Sequence, residues 1–222
     1  MADPLHMRRS FVRRRLLAAG VPRNDSEIPL QRTPEHAPLT LVDLSHLPRW
    51  GIKGRDAFAW LKARQARVPE RNNAAERQPD GTLIARLSPG EALILSPRHY
   101  GGCFLDGALA AIPGEGDGAC YPVPRRDSHS LFFVKGNPAA RMFAKLCAID
   151  LAPDRFADGS IAQTSVARLS AIIIRDDVNS QLGFSVLVES ASAEYFWDCL
   201  LDAMGEFGAA IADASSIREM QS

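Results

Sequence analysis

No Cys-x-x-Cys pair, no Gly-x-Gly-x-x-Gly following a strand, no His-Glu-x-x-His and no Gly-x-Ser-x-Gly occurs in the 222 residues. Each absence removes a class of chemistry. The four cysteines, Cys103, Cys120, Cys147 and Cys199, lie far apart, which excludes a zinc knuckle or thioredoxin-like motif and predicts reduced, mostly buried thiols. Without the glycine fingerprint there is no self-contained Rossmann-type nicotinamide or flavin site. His6, His36, His46 and His99 have no metal-binding spacing. No apolar run approaches the roughly 18 residues of a membrane helix. Met7 to Leu17 is broken by Arg8, Arg9, Arg13, Arg14 and Arg15, so it does not read as a signal peptide, and a cytoplasmic location is expected. Net charge is also missing, because 26 basic and 26 acidic side chains cancel. The body therefore has no overall attraction to nucleic acid or an acidic membrane.

What is present is ordinary globular composition, 46% hydrophobic and 23% charged, in a chain long enough for one substantial core. Residues 1–36 combine the arginine cluster with Pro22, Asn24, Asp25, Pro29 and Pro34 and read as a basic, flexible arm. Within it, Ser10 to Ala19 has the pattern of a short amphipathic helix with Phe11, Leu16 and Leu17 on one side, suited to docking on a partner. Residues 37–212 form the body and 213–222 a tail.

The body carries a faint internal repeat. Trp50-Gly-Ile-Lys-Gly-Arg-Asp-Ala57 aligns with Phe132-Phe-Val-Lys-Gly-Asn-Pro-Ala139, and Lys53 and Lys135, Gly54 and Gly136, Ala57 and Ala139 are each 82 positions apart. Ala85-Arg-Leu-Ser88 recurs as Ala167-Arg-Leu-Ser170 at the same offset, which implies duplication. Each copy reads as an apolar strand, a glycine turn and a helix. The first helix is expected over Asp56 to Arg67; the second, capped by Asn137 with Pro138 at its first position, runs to Cys147. Strands follow at Leu83 to Leu87 and Ala92 to Leu95, then at Val166 to Ile174 and Phe184 to Glu189. A closing helix capped by Ser190 or Ser192 reaches Phe207, with Phe196, Trp197, Leu200, Leu201 and Met204 as its apolar stripe. The fold class is α+β: duplicated strand-helix-strand-strand units forming antiparallel sheets covered by helices.

Three segments imitate active sites. Gly114-Glu-Gly-Asp-Gly118 could cradle phosphate, but Pro122 and Pro124 follow where a helix N-terminus is needed, so a surface loop is expected. Asp127-Ser-His-Ser130 has the side chains of a serine hydrolase, yet triads meet through the fold rather than by adjacency, and turn or edge-strand hydrogen bonding accounts for them. Asp176, Asp177 and Asn179 lack the glycine and glutamate spacing of a calcium loop and read as a turn.

Taken in order, Val42-Asp-Leu-Ser45, Gly51-x-Lys-Gly54, Ala85-Arg-Leu-Ser-Pro-Gly-Glu91 and Arg126-Asp-Ser128 begin a pattern. Val134-Lys-Gly-Asn-Pro-Ala139, Leu146-Cys-x-x-Asp-Leu151, Phe156, Gln163-Thr164, Arg168, Gly183-Phe184 and Ala193-Glu-Tyr-x-Trp197 complete it. From about Leu41 to Phe207 this resembles the gamma subunit of heterotetrameric sarcosine oxidase, a branch of the glycine-cleavage T-protein superfamily that includes N-methylglutamate dehydrogenase subunits. The resemblance implies a small structural subunit, itself without catalytic residues, metal or bound cofactor, in a hetero-oligomer with large flavin-bearing and T-protein-like subunits. FAD, FMN, NAD and tetrahydrofolate would belong to the complex, which oxidatively demethylates sarcosine or other N-methyl amines.

A rival reading is a stand-alone folate-binding, T-protein-like one-carbon protein. There a glutamate two residues before the late Gly-Phe bonds the pterin; Gln181 stands at that place, and a glutamine offers one acceptor and one donor group where a carboxylate offers two acceptors and a charge. Arg168 and Gln181 are accordingly the candidate cofactor-binding residues. Nucleic-acid binding through the arginine arm is a third, weaker reading.

Overall fold

A computed structural model describes residues 10–18, 37–98, 103–110 and 120–212. Along the chain these form α1 (Arg13–Ala18), β1 (Leu39–Asp43), β2 (Arg49–Lys53), α2 (Ala57–Lys62), β3 (Ala74–Arg77), β4 (Leu83–Ser88), β5 (Glu91–Leu95) and α3 (Asp106–Ala110). The second half holds β6 (Tyr121–Pro124), β7 (His129–Lys135), α4 (Ala139–Phe143), β8 (Ile161–Val166), β9 (Leu169–Arg175), β10 (Gly183–Glu189), α5 (Ala193–Met204) and β11 (Ala209–Ala212).

The strands make two sheets, ordered β11-β1-β7-β10-β9-β8 and β3-β4-β5-β2-β6. Pairing is antiparallel except between β1 and β11. Side chains alternate across a strand, and the apolar run of β7 shows what that does here. Phe132 and Val134 join the core under α4 and α5, while Leu131 and Phe133 join Leu83, Leu93 and Leu95 of the other sheet. The outer face of that second sheet, with Ile52, Ile84 and Ile94, packs on Phe58 and Leu61 of α2, on Leu105 just before α3 and on Leu109 within it. The result is helices, sheet, sheet, helices, with central strands such as β7 and β10 buried on both faces because both are covered. Phe132 sits 5.8 Å from Phe196 and 5.6 Å from Trp197 between ring centroids, fixing α5 to the six-stranded sheet.

The duplication is visible in this order. Both β2-α2-β3-β4-β5-α3 and β7-α4-β8-β9-β10-α5 repeat one unit, and the sheet orders 3-4-5-2 and 8-9-10-7 correspond. Gly54 and Gly136 occupy equivalent turns at φ 137° and 135°, a region closed to residues with a Cβ. Their N–H groups donate to Gly90 and Leu182 carbonyls, each at 2.8 Å, and their carbonyls accept from Ala57 and Ala139. A Cβ on Gly136 would lie 2.0 Å from the Pro38 carbonyl oxygen. The leading strands are exchanged: β1, which runs into β2, pairs with β7, and β6, which runs into β7, pairs with β2. On the opposite side the sheets touch, Ala74 bridging Ser160.

The second sequence match at the same offset is not a structural one. Ala85-Arg-Leu-Ser88 lies within β4, whereas Ala167 and Arg168 form the two-residue turn between β8 and β9. The connection from α4 to β8 is longer than that from α2 to β3, so the offset shifts after the helix. The strand expected over Val166 to Ile174 is accordingly split at this turn. Ala167 and Arg168 have φ 49° and 67°, as a tight hairpin turn requires, at a cost on the order of 1–2 kcal/mol per residue that glycine would avoid.

Both mid-chain helices are shorter than expected. Gln65 goes left-handed at φ 62° and the Ala66 N–H returns to the Leu61 carbonyl, closing α2 early. Pro138 rather than Asn137 precedes α4, without a side-chain cap. Ser192 precedes α5, also uncapped by its side chain, and a 3₁₀ turn carries that helix on to Phe207. The four-residue edge strands β3, β6 and β11 carry too few alternating residues to stand out in sequence.

The described part of the arm packs on the chain's own body. Val12 is fully buried in the core under α5, with Phe11 and Leu16 against it; Arg15 donates to Asp198 at 2.7 Å. The Ser10 hydroxyl donates to buried Asp43. Leu17, expected on the apolar side, is exposed. The remainder of the arm, the tail at 213–222, Gly114 to Gly118, His6, His36 and His99 lie outside the described residues.

Candidate functional site

The two exchanged connections, β1 to β2 and β6 to β7, meet at Arg49. The residue is 1% exposed, and its guanidinium donates five hydrogen bonds to the carbonyls of Ser45, Leu47, Arg125, Arg126 and His129. Nearby, the Asp43 carboxylate accepts the Ser45 N–H at 2.9 Å, and the Ser45 hydroxyl takes the Leu131 N–H at 3.0 Å. The motif residues of both connections thus hold backbone crossings together.

This junction also decides the fate of the hydrolase-like residues. Arg125 can only donate, and its Nη1 is 3.4 Å from His129 Nε2, so that nitrogen is the acceptor and Nδ1 carries the proton. Nδ1 then donates to Ser128 Oγ at 2.8 Å, and the Ser128 hydroxyl donates to the Pro124 carbonyl at 3.0 Å. Burial, with Arg125 and Arg49 adding repulsion, lowers the His129 pKa to about 4. The serine proton points away from the imidazole, opposite to what nucleophilic catalysis needs. The Asp127 carbonyl accepts from the Ser190 hydroxyl, so its main chain belongs to the same turn.

His129 forms one wall of a cleft of about 360 Å³ on the six-stranded sheet, floored by Ile172 and Leu187 and rimmed by Gln163, Thr164 and Ser170. Gln163 Nε2 donates to the Leu87 carbonyl at 2.8 Å and Asn73 Oδ1 at 2.7 Å, tying edge strand β8 to β4. Both amide protons are thereby used, and the Gln163 carbonyl remains as an acceptor. Among the described lining residues, no hydroxyl of Thr164 or Ser170 is hydrogen-bonded to His129.

At the opposite end of the strands, buried Asp176 receives Arg77 and Arg98, and the Ser185 hydroxyl donates to it at 3.0 Å. Arg98 lies over the Phe133 ring at 4.2 Å; burial, with Arg77 adding repulsion, holds its pKa well below the usual arginine value. Burial, then Arg98, lowers that of Lys135. Asp177 is engaged by Arg175 at 2.7 Å and by the Gly183 N–H at 3.1 Å. These acidic side chains serve arginines and the turn, and among the described residues no cluster of three or more metal-ligating side chains occurs.

Gln181 lies in this turn, exposed, its main chain paired with Val178. Arg168 is exposed at the other end of β9. A seven-residue strand separates them, roughly 23 Å at the usual rise, so the two candidate cofactor residues do not share a site. Arg49 and Arg98 gave no sequence signal, because a buried arginine cannot be told from a solvated one by spacing. Gln163-Thr164 entered only through the family pattern, yet both residues rim the cleft.

No family model matches the chain. It is 29% identical to the sarcosine oxidase subunit gamma of Corynebacterium sp. strain U-96 over 133 residues, 59% of this chain and 60% of that protein. The match therefore spans about three fifths of the curated relative's length. A chain of the heterotetrameric sarcosine oxidase from Corynebacterium sp. U-96, solved with pyrrole 2-carboxylate, superposes with TM-score 0.67 and 22% identity, covering 92% of this chain and 98% of that one. Glycine cleavage system aminomethyltransferase T from Bartonella henselae gives TM-score 0.69 at 15% identity, covering 95% of this chain and 61% of that one. The fold is that of the T-protein, and the family resemblance read from the ordered motifs has counterparts in both sequence and architecture.

Proposed function

We propose that this chain is a small, structural gamma-type subunit of a multi-subunit, flavin-dependent sarcosine oxidase or N-methyl amino acid dehydrogenase. The observation that carries the reading is the sequence similarity to a sarcosine oxidase gamma subunit, in a chain whose fold spans 98% of a heterotetrameric sarcosine oxidase chain. The polar constellations suit that role: Arg49, Asp43, Ser45 and Ser128 are engaged with main chain, and Asp176 with two arginines. FAD, FMN, NAD and tetrahydrofolate belong, on this reading, to the partner subunits, whose chemistry removes an N-methyl group and passes its carbon to folate or releases formaldehyde. Among the described residues no helix is long and apolar enough to cross a membrane. The four cysteines are free thiols, which suits the reducing cytoplasm.

The test is co-purification. Tagged protein from its native host should bring down, in fixed ratio, a yellow complex that oxidises an N-methyl amine, while the chain alone is colourless and inactive. Turnover by the lone chain, or failure to recover any flavoprotein, would sink the reading. The T-protein fold keeps a folate-binding alternative in view. A one-to-one tetrahydrofolate isotherm at micromolar ligand, lost in Gln181→Ala, would promote it.

A further inference from the structure

The turn between β8 and β9 is built from the wrong residues for its geometry. A two-residue hairpin with left-handed backbone at both positions favours Asn-Gly, and the chain places Ala167 and Arg168 there, at φ 49° and 67°. Strain retained at an exposed turn calls for a reason outside the hairpin. Arg168 is exposed and makes no ion pair among the described residues. Beside it stands Tyr195, 50% exposed, whose hydroxyl donates to the Ala167 carbonyl at 3.2 Å. The Ala167 N–H donates to the Leu146 carbonyl at 2.8 Å, which pins the turn to the body. A tyrosine and an uncompensated arginine, held by a strained turn and a helix, are residue types that dominate protein interfaces.

We propose that Arg168 and Tyr195 anchor the docking patch for a partner subunit that presents a carboxylate to Arg168. This inference rests on the subunit reading above and names the surface through which the assembly forms. Exposed Phe104 and Tyr121 lie away from this turn and supply controls.

The complex is recovered from the native host by a tag on the full-length chain, and affinity for the isolated flavin-bearing partner is then measured with each variant. Arg168→Glu and Tyr195→Ala should each weaken it about tenfold or more, and Tyr121→Ala should not. The double variant Ala167→Asn, Arg168→Gly should raise the chain's thermal midpoint by relieving the turn and still lose about tenfold in affinity. A structural role alone would not divide stability from binding in that way. If wild type recovers no flavoprotein, the subunit reading itself fails. Where wild type binds and Arg168→Glu binds equally well, this patch is overturned and the subunit reading stands. Loss of self-association alone in Arg168→Glu would assign the patch to a second copy and likewise overturn it.

Discussion

Single polar side chains do most of the tying in this molecule, and Arg49 is the clearest case. Its donors fill carbonyls of both exchanged connections, and leaving a buried carbonyl unmade costs about 1–3 kcal/mol. Arg49→Met should therefore destabilise the chain by at least about 3 kcal/mol in urea unfolding; a change under about 1 kcal/mol would mean that the connections hold without it. His129 gives a pH signature with a definite sign. Its pKa falls from 6.5 to about 4 on folding, so between those values the unfolded chain binds the extra proton and stability rises with pH. Acidification from pH 6.5 towards 4 should cost stability through this group, with no further contribution from it above 6.5, and the slope should shrink in His129→Gln. Neither effect was legible in the sequence, since both depend on what folds over the residue. Gly54 and Gly136 were legible, because a glycine ending an apolar strand before a helix has few other uses.

At the scale of elements, strands and helices with strong patterns were readable and edges were not. The apolar run of β7 and the stripe of α5 announce themselves by period, whereas β3 and β6 have four residues each. Arg168 and Gln181, the two candidate cofactor residues, stand at opposite ends of β9; linear motifs carry no distance. The basic helix α1 shows how magnitudes decide between two attractions. Its ion pair, Arg15 to Asp198, has side chains 44% and 49% exposed, a setting worth about 0–1 kcal/mol. Full burial of Val12 is worth about 1.5–3 kcal/mol. Val12→Ala should thus destabilise more than Arg15→Ala, and added salt should barely loosen the helix. Greater loss in Arg15→Ala, or salt-driven exposure of α1 to protease, would show that charge holds the arm.

For the whole molecule, the exchange of β1 and β6 has a larger consequence than the duplication itself. Two copies that each kept their leading strand could have folded as separate half-domains. Here each half completes the other's sheet, and one core is built from both, with Leu83, Leu93 and Leu95 facing Leu131, Phe133 and Leu187. An isolated half would lose a strand and expose that face to water. Unfolding should therefore be a single cooperative transition. Tryptophan fluorescence, reporting on Trp50 and Trp60 beside one outer core and Trp197 in the other, should change at the same urea midpoint as far-ultraviolet circular dichroism. Fragments 1–119 and 120–222 should each fail to fold alone and regain strand structure when mixed, because the exchanged strands supply a specific mutual fit. Two separated transitions, or a half that folds unaided, would mean that the sheets are independent despite the exchange.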